Sequence, residues 1–464
     1  MESTTISNEN LPKSMRYGFS SATAVPAVTT LSRFSSVNGS SGFSPSGSNQ
    51  IRFKIQSPGF LDVCKHYLEF KVNVTGTDAD GFAAYVDGHA GSFFDRLRIE
   101  SNGSVVEEVL SYGLYNGIRQ TYNSGLGEVM KDSALSGSGR LAVKNPADAA
   151  ASDGILAPVS QSSLGAGIAT TESHVFTIQL ESGLFKNIHK KALPEGMAEM
   201  DVILTLAGNA QALVSAAAAT YTIDNPTLFC PSFRIENADV MDNYRRMVQA
   251  QGASIHGITP KTYVNTVSNG AGTKTLQIND RSLSVLGLVS AVRVNAADST
   301  DHIYANSAYG YSTAVATTQM TRFKYQIAGI NYPQSDVNIA TAADGRNLGR
   351  AHEESLKALA MPGEEYAKSL VSIDQLTGQI DAAYASAKDT QGTEAPKGLL
   401  SVDLKKFDMD KLRMVGLNTS RNSGPSVLEI EVGTTLGADT NCTTFAICEA
   451  LFTVLPNGVM TVAV

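Results

Sequence analysis

The stretch FFDRLRIESNGSVV, residues 93–106, decides the fold class of this chain. Residues 93–101 combine aromatic and branched apolar side chains with charged ones, as a half-buried β-strand does. The dipeptide Asn102-Gly103 then supplies two residues that readily adopt the positive φ angles of a tight hairpin turn. Residues 105–106 begin the return strand. The stretch therefore predicts an antiparallel hairpin.

Strand patterns continue on both sides of this hairpin. Residues 51–55 alternate apolar and polar side chains, which indicates a strand with one buried face, and residues 67–74 contain a second strand. Apolar residues over 107–122 follow a helical spacing, so one short helix is predicted there. Further strands are predicted at 175–180, 200–206 and about 218–223, and the unit is predicted to close either near Asn225-Pro226 or with a strand at 232–236.

The second half of the chain repeats this plan. Residues 283–293 are strongly apolar and predict either one long strand or a strand pair, and residues 323–329 match the pattern of 93–101. A helical patch is predicted at 349–360. The remaining strands are predicted at 400–404, 427–432, 445–455 and 459–464.

The spacing of equivalent landmarks indicates a true internal repeat. Leu97 and Tyr325 are 228 positions apart, and Phe176 and Val402 are 226 positions apart. Two independent pairs thus have nearly the same offset, although the halves share little sequence identity. We therefore predict two units of one architecture in tandem.

Many short strands with few helices favour an all-β chain of two antiparallel sandwiches or barrels, each with one short helix and long loops. Residues 1–49, rich in Ser, Thr and Gly, are predicted to be a flexible N-terminal arm. The first sandwich is predicted to span 50–236 and the second 237–464. The loop at 123–170 is expected to project or to contact another subunit.

Composition limits the classes of function. Hydrophobic residues make up 42% of the chain and charged residues 17%, which is low for a solvated monomer and suits a surface covered by other copies. The net charge is −8, and the first fifty residues hold only three basic side chains against two acidic ones. This is too little positive charge for an arm that binds nucleic-acid phosphates, so no sequence-specific nucleic-acid binding is predicted. Neither a signal peptide nor an apolar run long enough to span a membrane is expected.

Several polar groupings could carry chemistry, and each has a simpler structural interpretation. The Asp-Gly-His at 87–89, with Asp95, has metal-ligand residue types, but a turn before a strand explains it. The basic run at 189–191 favours a solvated loop, with a loop facing a genome or membrane left open. The adjacent carboxylates at 353–354 point apart on a helix, so they do not form an acid/base pair. The Asp-His at 301–302 could belong to a catalytic triad, but no Gly-x-Ser-x-Gly motif accompanies it. We predict no catalytic, cofactor-binding or metal-ligating residues, and no enzyme.

Several local patterns, taken in their order along the chain, carry a family resemblance. They are NQIRFKI at 49–55, DGHAGSFFDRL at 87–97 running into SNG at 101–103, INYP at 330–333, and GLNT at 416–419 ahead of LEIE at 428–431. Over about residues 49–464 the chain resembles the double jelly-roll major capsid proteins of small eukaryotic DNA viruses, of the polinton-like virus, adintovirus and virophage type.

The resemblance implies both a fold and an assembly. Each sandwich would be an eight-stranded antiparallel jelly roll, and three chains would form a homotrimeric, pseudo-hexameric capsomer that tiles an icosahedral shell. Neighbouring capsomers, penton proteins and minor or cement proteins would be its partners. The N-terminal arm would lie at the inner surface of the shell, and contact with an internal membrane is left open. The virion would be its location, after synthesis and assembly inside the host cell.

Two other functions stay open at the level of sequence. One is a two-domain β-sandwich that binds carbohydrate, against which stands the absence of Trp, the residue most used to stack on sugars. The other is a polymeric surface-layer or fibre subunit, against which stands the expectation of no secretion signal.

Overall fold

The computed structural model describes most of the chain. It covers residues 27–56, 59–75, 84–123, 164–168, 173–214, 219–294, 309–311, 320–339, 348–361, 364–369, 397–406, 415–422, 424–433 and 440–464, together with residues 125, 135, 371 and 376. Across this part of the chain, no helix has the length and apolarity needed to cross a membrane.

The first unit contains twelve strands and two helices among the described residues. Its strands are β1 Ala27–Ser35, β2 Gln50–Ile55, β3 Phe60–Leu61, β4 Tyr67–Thr75, β5 Ala84–Asp87, β6 Phe94–Ser101, β7 Ser104–Leu110, β8 Leu164–Ile168, β9 Ser173–Ile178, β10 Met200–Leu206, β11 Leu213–Val214 and β12 Thr220–Ile235. Its helices are α1 Tyr112–Asn123 and α2 Asn209–Ala212. Short 3-10 helices span Val63–Lys65 and Ala90–Phe93.

Two antiparallel sheets form the sandwich of the first unit. One has the order β1-β12-β4-β9, with β3 also paired to β12, and the other has the order β2-β10-β6-β7. Aromatic side chains join the sheets: the rings of Phe70 on β4 and Phe94 on β6 lie 5.3 Å apart, edge to face. A small third sheet, β11-β5-β8, flanks them. This interleaved strand order is that of a jelly roll.

The second unit repeats the architecture. Its strands are β13 Ala253–Val267, β14 Gly272–Ile278, β15 Val285–Val294, β16 Met320–Ile327, β17 Ile330–Asn338, β18 Leu400–Asp403, β19 Ser426–Val432, β20 Thr440–Val454 and β21 Met460–Ala463. The sheets have the orders β13-β20-β15-β18, with β21 paired to β20, and β14-β19-β16-β17. Helix α3, Ala238–Gln251, precedes β13, and helix α4, Gly349–Leu359, follows β17.

The two units therefore share one strand order, and the predicted fold of two tandem jelly rolls is confirmed. Both spacing landmarks fall on equivalent strands: Leu97 on β6 matches Tyr325 on β16, and Phe176 on β9 matches Val402 on β18. Even the hairpin turns after β6 and β16 agree. Asn102-Gly103 and Ala328-Gly329 each place two successive residues at positive φ, the turn that the opening stretch predicts.

The N-terminal arm needs a correction. Residues 27–35, inside the segment 1–49 predicted as flexible, form strand β1, which pairs with β12 over its whole length. The strand was missed because most of its residues are exposed. Apolar and polar residues therefore do not alternate along it in the way that a half-buried strand requires. Residues 1–26 of the predicted arm lie outside the described residues.

Helix positions also differ in part from the prediction. The helix predicted at 107–122 begins at Tyr112, because residues up to Leu110 continue β7 and Ser111 breaks the chain with a φ of 50°. Helix α3 was not predicted, although Asn237 caps its first turn and Gly252, at a φ of 73°, ends it. The helix predicted at 349–360 is confirmed as α4.

The INYP motif at 330–333 was predicted to end a strand, but it lies in the next strand, after a hairpin turn. Strand β16 ends at Ile327, and β17 runs through Pro333. Proline is tolerated there because β17 is the edge strand of its sheet, where one side of the backbone has no ladder to donate to. The predicted long loop at 123–170 lies largely outside the described residues, apart from β8, which pairs with β5.

Candidate functional site

A set of polar contacts joins the two jelly rolls. Strand β13 of the second unit faces β7 and the segment 182–191 of the first. The Thr262 hydroxyl donates to the Leu110 carbonyl at 3.0 Å, and the Ile188 amide donates to the His256 carbonyl at 2.9 Å. The units are thus joined by main-chain as well as side-chain hydrogen bonds.

Two glycines allow the backbones of the units to touch. A Cβ atom on Gly257 of β13 would overlap the carbonyl group of Gly183, and one on Gly183 would lie 2.7 Å from the carbonyl oxygen of Ile258. Neither distance is compatible with a side chain unless the backbone moves. Glycine is therefore required at both positions for main-chain approach rather than for an unusual φ.

A buried carboxylate holds the segment that touches β13. Glu107 on β7 is 3% exposed and accepts hydrogen bonds from the Ser182 hydroxyl at 2.5 Å, the Gly183 amide at 2.7 Å and the Leu184 amide at 3.3 Å. Burial raises the pKa of Glu107, and these donors, with the Thr259 hydroxyl of the second unit, act against that rise. One side chain thereby fixes the loop of the first unit against the second.

A second buried carboxylate lies within the second unit, on the strand paired with β13. Glu449 on β20 accepts from the Ser284 hydroxyl and from the Val415 amide at 2.7 Å, and its Oε1 lies 3.2 Å from Nε2 of His256. Burial alone would raise the pKa of Glu449. The nearby His256 ring and the hydrogen bonds from Ser284 and Val415 outweigh burial, so the pKa of Glu449 lies below its ordinary value.

Opposite charges from both units are buried in a third cluster. Asp87 of the first unit is fully buried, and Lys397 of the second unit is 3% exposed. Burial lowers the pKa of Lys397 to about 8, against the opposing effect of the Asp87 charge. Burial also lowers the pKa of Arg293, which the charges of Asp87 and Asp95 raise. Buried charges are stable only while their partners stay in place, so this cluster favours docked units.

The residues weighed as a metal group lie at the edge of this cluster. Gly88 has a φ of 78°, as a turn residue does, and the Nδ1 atom of His89 accepts from the Gly91 amide at 3.0 Å. Burial lowers the pKa of His89 to about 4, so the ring is neutral at pH 7. In the part of the chain that the structure describes, no three His, Cys, Asp or Glu side chains come together as metal ligands.

The other sequence candidates are dispersed. His189, Lys190 and Lys191 are exposed beside β13, where the Lys191 ammonium donates to the Ser254 carbonyl at 3.2 Å. Glu353 pairs with Lys357 at 2.6 Å on the surface of α4. The Asp-His at 301–302 lies outside the described residues. The interunit contact itself was not predicted, because its groups come from positions as distant as 87 and 397.

Comparisons with known proteins bear on the fold of this chain. No family model and no curated protein matches the sequence. The chain is similar to VP54 of PBCV-1, as fitted into a reconstruction of the virophage Sputnik, with a TM-score of 0.57, 12% identity and coverage of 96% of this chain and 99% of that chain. The mavirus major capsid protein matches with a TM-score of 0.57, 12% identity and coverage of 98% and 94%.

The Faustovirus major capsid protein matches with a TM-score of 0.57, 9% identity and coverage of 94% of this chain and 92% of that chain. At identities this low, the likeness establishes the fold. The chain therefore has the fold of these viral major capsid proteins over nearly its whole length.

Proposed function

We propose that this chain is a major capsid protein, and that three copies form a pseudo-hexameric capsomer that tiles an icosahedral shell. One observation carries the proposal. Two units of the same strand order stand side by side in one chain, and they meet through different faces, β7 of one and β13 of the other.

A contact between unlike faces of equivalent units can be repeated. Such a heterologous contact extends into a filament or closes into a ring, depending on the rotation between units. Because each chain already contains two units, a ring of six needs three chains. The ring would have true threefold and approximate sixfold symmetry, a shape that packs in hexagonal arrays.

Other properties agree with a structural role rather than a catalytic one. The solved proteins of the same fold are described as major capsid proteins. The low fraction of charged residues suits a surface that is covered by neighbours, and the net charge of −8 suits a shell whose genome is condensed by other components. Neighbouring capsomers, penton proteins and minor or cement proteins are the proposed partners, and the virion, assembled inside the host cell, is the proposed location.

The carbohydrate-binding and surface-layer alternatives gain no support from the described residues. The aromatic side chains that dominate the sandwich interiors, such as Phe70, Phe93 and Phe176, are fully buried and form the core. They are therefore not a platform on which a sugar ring could stack.

Light scattering on the purified full-length chain tests the proposal. We expect a particle with three times the chain mass of 49.0 kDa, stable on dilution to micromolar concentration, with a hexagonal outline in negative stain. A chain that stays monomeric at high concentration, or that forms stable dimers alone, would overturn the trimeric capsomer.

A further inference from the structure

The contact between the two units, β7 against β13, uses one surface of each unit and leaves the equivalent surface of the other unit unused. The first unit contributes its β7 side, and the second contributes β13. Each unit has both kinds of strand, because β17 is the equivalent of β7 and β1 is the equivalent of β13. Among the residues that the structure describes, neither β17 nor β1 has the other unit packed on it in this way.

The equivalence of β1 and β13 holds residue by residue. Ala27 opens β1 and Ala253 opens β13, 226 positions later, which is the offset already found for Phe176 and Val402. Ala27 lies opposite Ile235, the last residue of β12, and Ala253 lies opposite Val454, the last residue of β20. The two strands therefore enter their sheets at the same place.

Burial separates the two strands sharply. On β13, the face toward the first unit is covered, and it carries three buried residues: Ile255, Gly257 and Thr259. On β1, the equivalent three residues are all exposed: Thr29, Leu31 and Arg33. Leu31 is 53% exposed and Val28 is 50% exposed. An edge strand that leaves branched apolar side chains in solvent is a surface for pairing with another chain.

The opposite surface shows the same difference. Strand β7 buries Val106, Glu107 and Val109, whereas in β17 only Val337 is buried. Ile330, at the start of β17, is 57% exposed. Counted back from the matching hairpin turns, Asn102-Gly103 and Ala328-Gly329, Arg96 corresponds to Arg322 at an offset of 226. Their cross-strand partners, Leu110 and Asn338, are therefore counterparts.

We propose that β17 of one copy packs against β1 of the next copy, as β7 packs against β13 within the chain. The proposal rests on the proposed trimer and names the surfaces that build it. The contact between Thr262 and Leu110 then has its counterpart between Ser36 of one copy and Asn338 of its neighbour. Leu31 occupies the place of Gly257, so side-chain packing replaces the main-chain approach seen inside the chain.

A charge at the centre of this surface tests the proposal. The Leu31→Glu trimer is expected to be less stable on dilution, because the new carboxylate would be buried without a partner. It should dissociate to monomers even at protein concentrations at least tenfold above those at which the wild type stays trimeric. Ile330→Glu is expected to act in the same direction. The matched control is Val264→Glu, on β13, where Val264 is 61% exposed although the first unit already covers that strand.

Light scattering gives the mass, and far-UV circular dichroism shows that each variant is folded. If Leu31→Glu and Ile330→Glu stay trimeric while folded, the proposed contact is wrong and the trimer survives. If the wild type itself is monomeric, the proposed function fails first.

Cross-linking provides a test that does not depend on destabilisation. A chain with Ser36→Cys and Asn338→Cys, treated with a short bifunctional thiol reagent, is expected to give covalent dimers and trimers. Each single variant controls for the partly exposed native Cys64. A trimer that yields no more interchain product than the single variants would overturn the contact.

Discussion

Replacing Gly257 by alanine is expected to destabilise the folded chain by about 3 kcal/mol, as expected when a side chain is forced into a packed contact and buried hydrogen bonds are lost. The new Cβ would overlap the carbonyl group of Gly183. Strand β13 cannot yield, because it is paired with β20 along its whole length. The segment around Gly183 must move instead, and its hydrogen bonds to Glu107 are then lost.

Urea unfolding followed by far-UV circular dichroism measures this effect, since the chain has no Trp to report by fluorescence. The control is Gly424→Ala, at a glycine with no atom near the position of a Cβ, which is expected to change stability by less than about 0.5 kcal/mol. If the two variants are equally stable, the units do not approach as closely as described.

Acid is expected to weaken the fold between pH 6.5 and pH 4, with His66 contributing about 3 kcal/mol of the loss. His66 is fully buried, and burial lowers the pKa of its imidazole to about 4 from an ordinary value of 6.5. Its Nε2 atom accepts from the Leu180 amide at 2.7 Å, and its Nδ1 atom lies 2.6 Å from the Val63 carbonyl. A proton on Nε2 would abolish the first of these bonds.

The direction follows from the two pKa values. The unfolded chain binds a proton at His66 as the pH falls through 6.5, whereas the folded chain resists until about pH 4. The free energy of unfolding is therefore unaffected by this group above pH 6.5 and decreases as the pH falls toward 4. His89, whose pKa burial also lowers to about 4, adds to the slope.

Urea titrations at several pH values and one protein concentration measure the slope, because assembly would shift apparent stability with concentration. His66→Gln keeps an acceptor and a donor but does not titrate, so a shallower slope is expected between pH 6.5 and pH 4. His189→Gln, the same substitution at an exposed histidine, is the matched control variant. An identical slope in wild type and His66→Gln would contradict the assignment.

Much of the fold could be predicted from local pattern. The turn at Asn102-Gly103, with apolar residues on both sides, identified the hairpin of β6 and β7. The offset between Leu97 and Tyr325 identified the repeat without sequence identity, because loops of similar length keep equivalent strands in step. Strong alternation arises wherever a strand has one buried face, and these strands do.

Strand β1 was not predicted because its side chains are exposed, and the same exposure makes it a surface for the proposed contact with a second copy. Its side chains are exposed in the single chain, so the burial that imposes alternation is missing. The charged groups at the interunit contact escaped for another reason. Asp87 and Lys397 are brought together only by docking of the two units, and nothing local to either residue signals the other.

An image of the purified assembly by electron cryomicroscopy tests the central claim most directly. We expect a threefold particle with six β-sandwiches in a ring, in which contacts between β7 and β13 inside each chain alternate with contacts between β17 and β1 of neighbouring chains. A monomer, a ring with a different number of sandwiches, or a six-membered ring joined through other strands would contradict it.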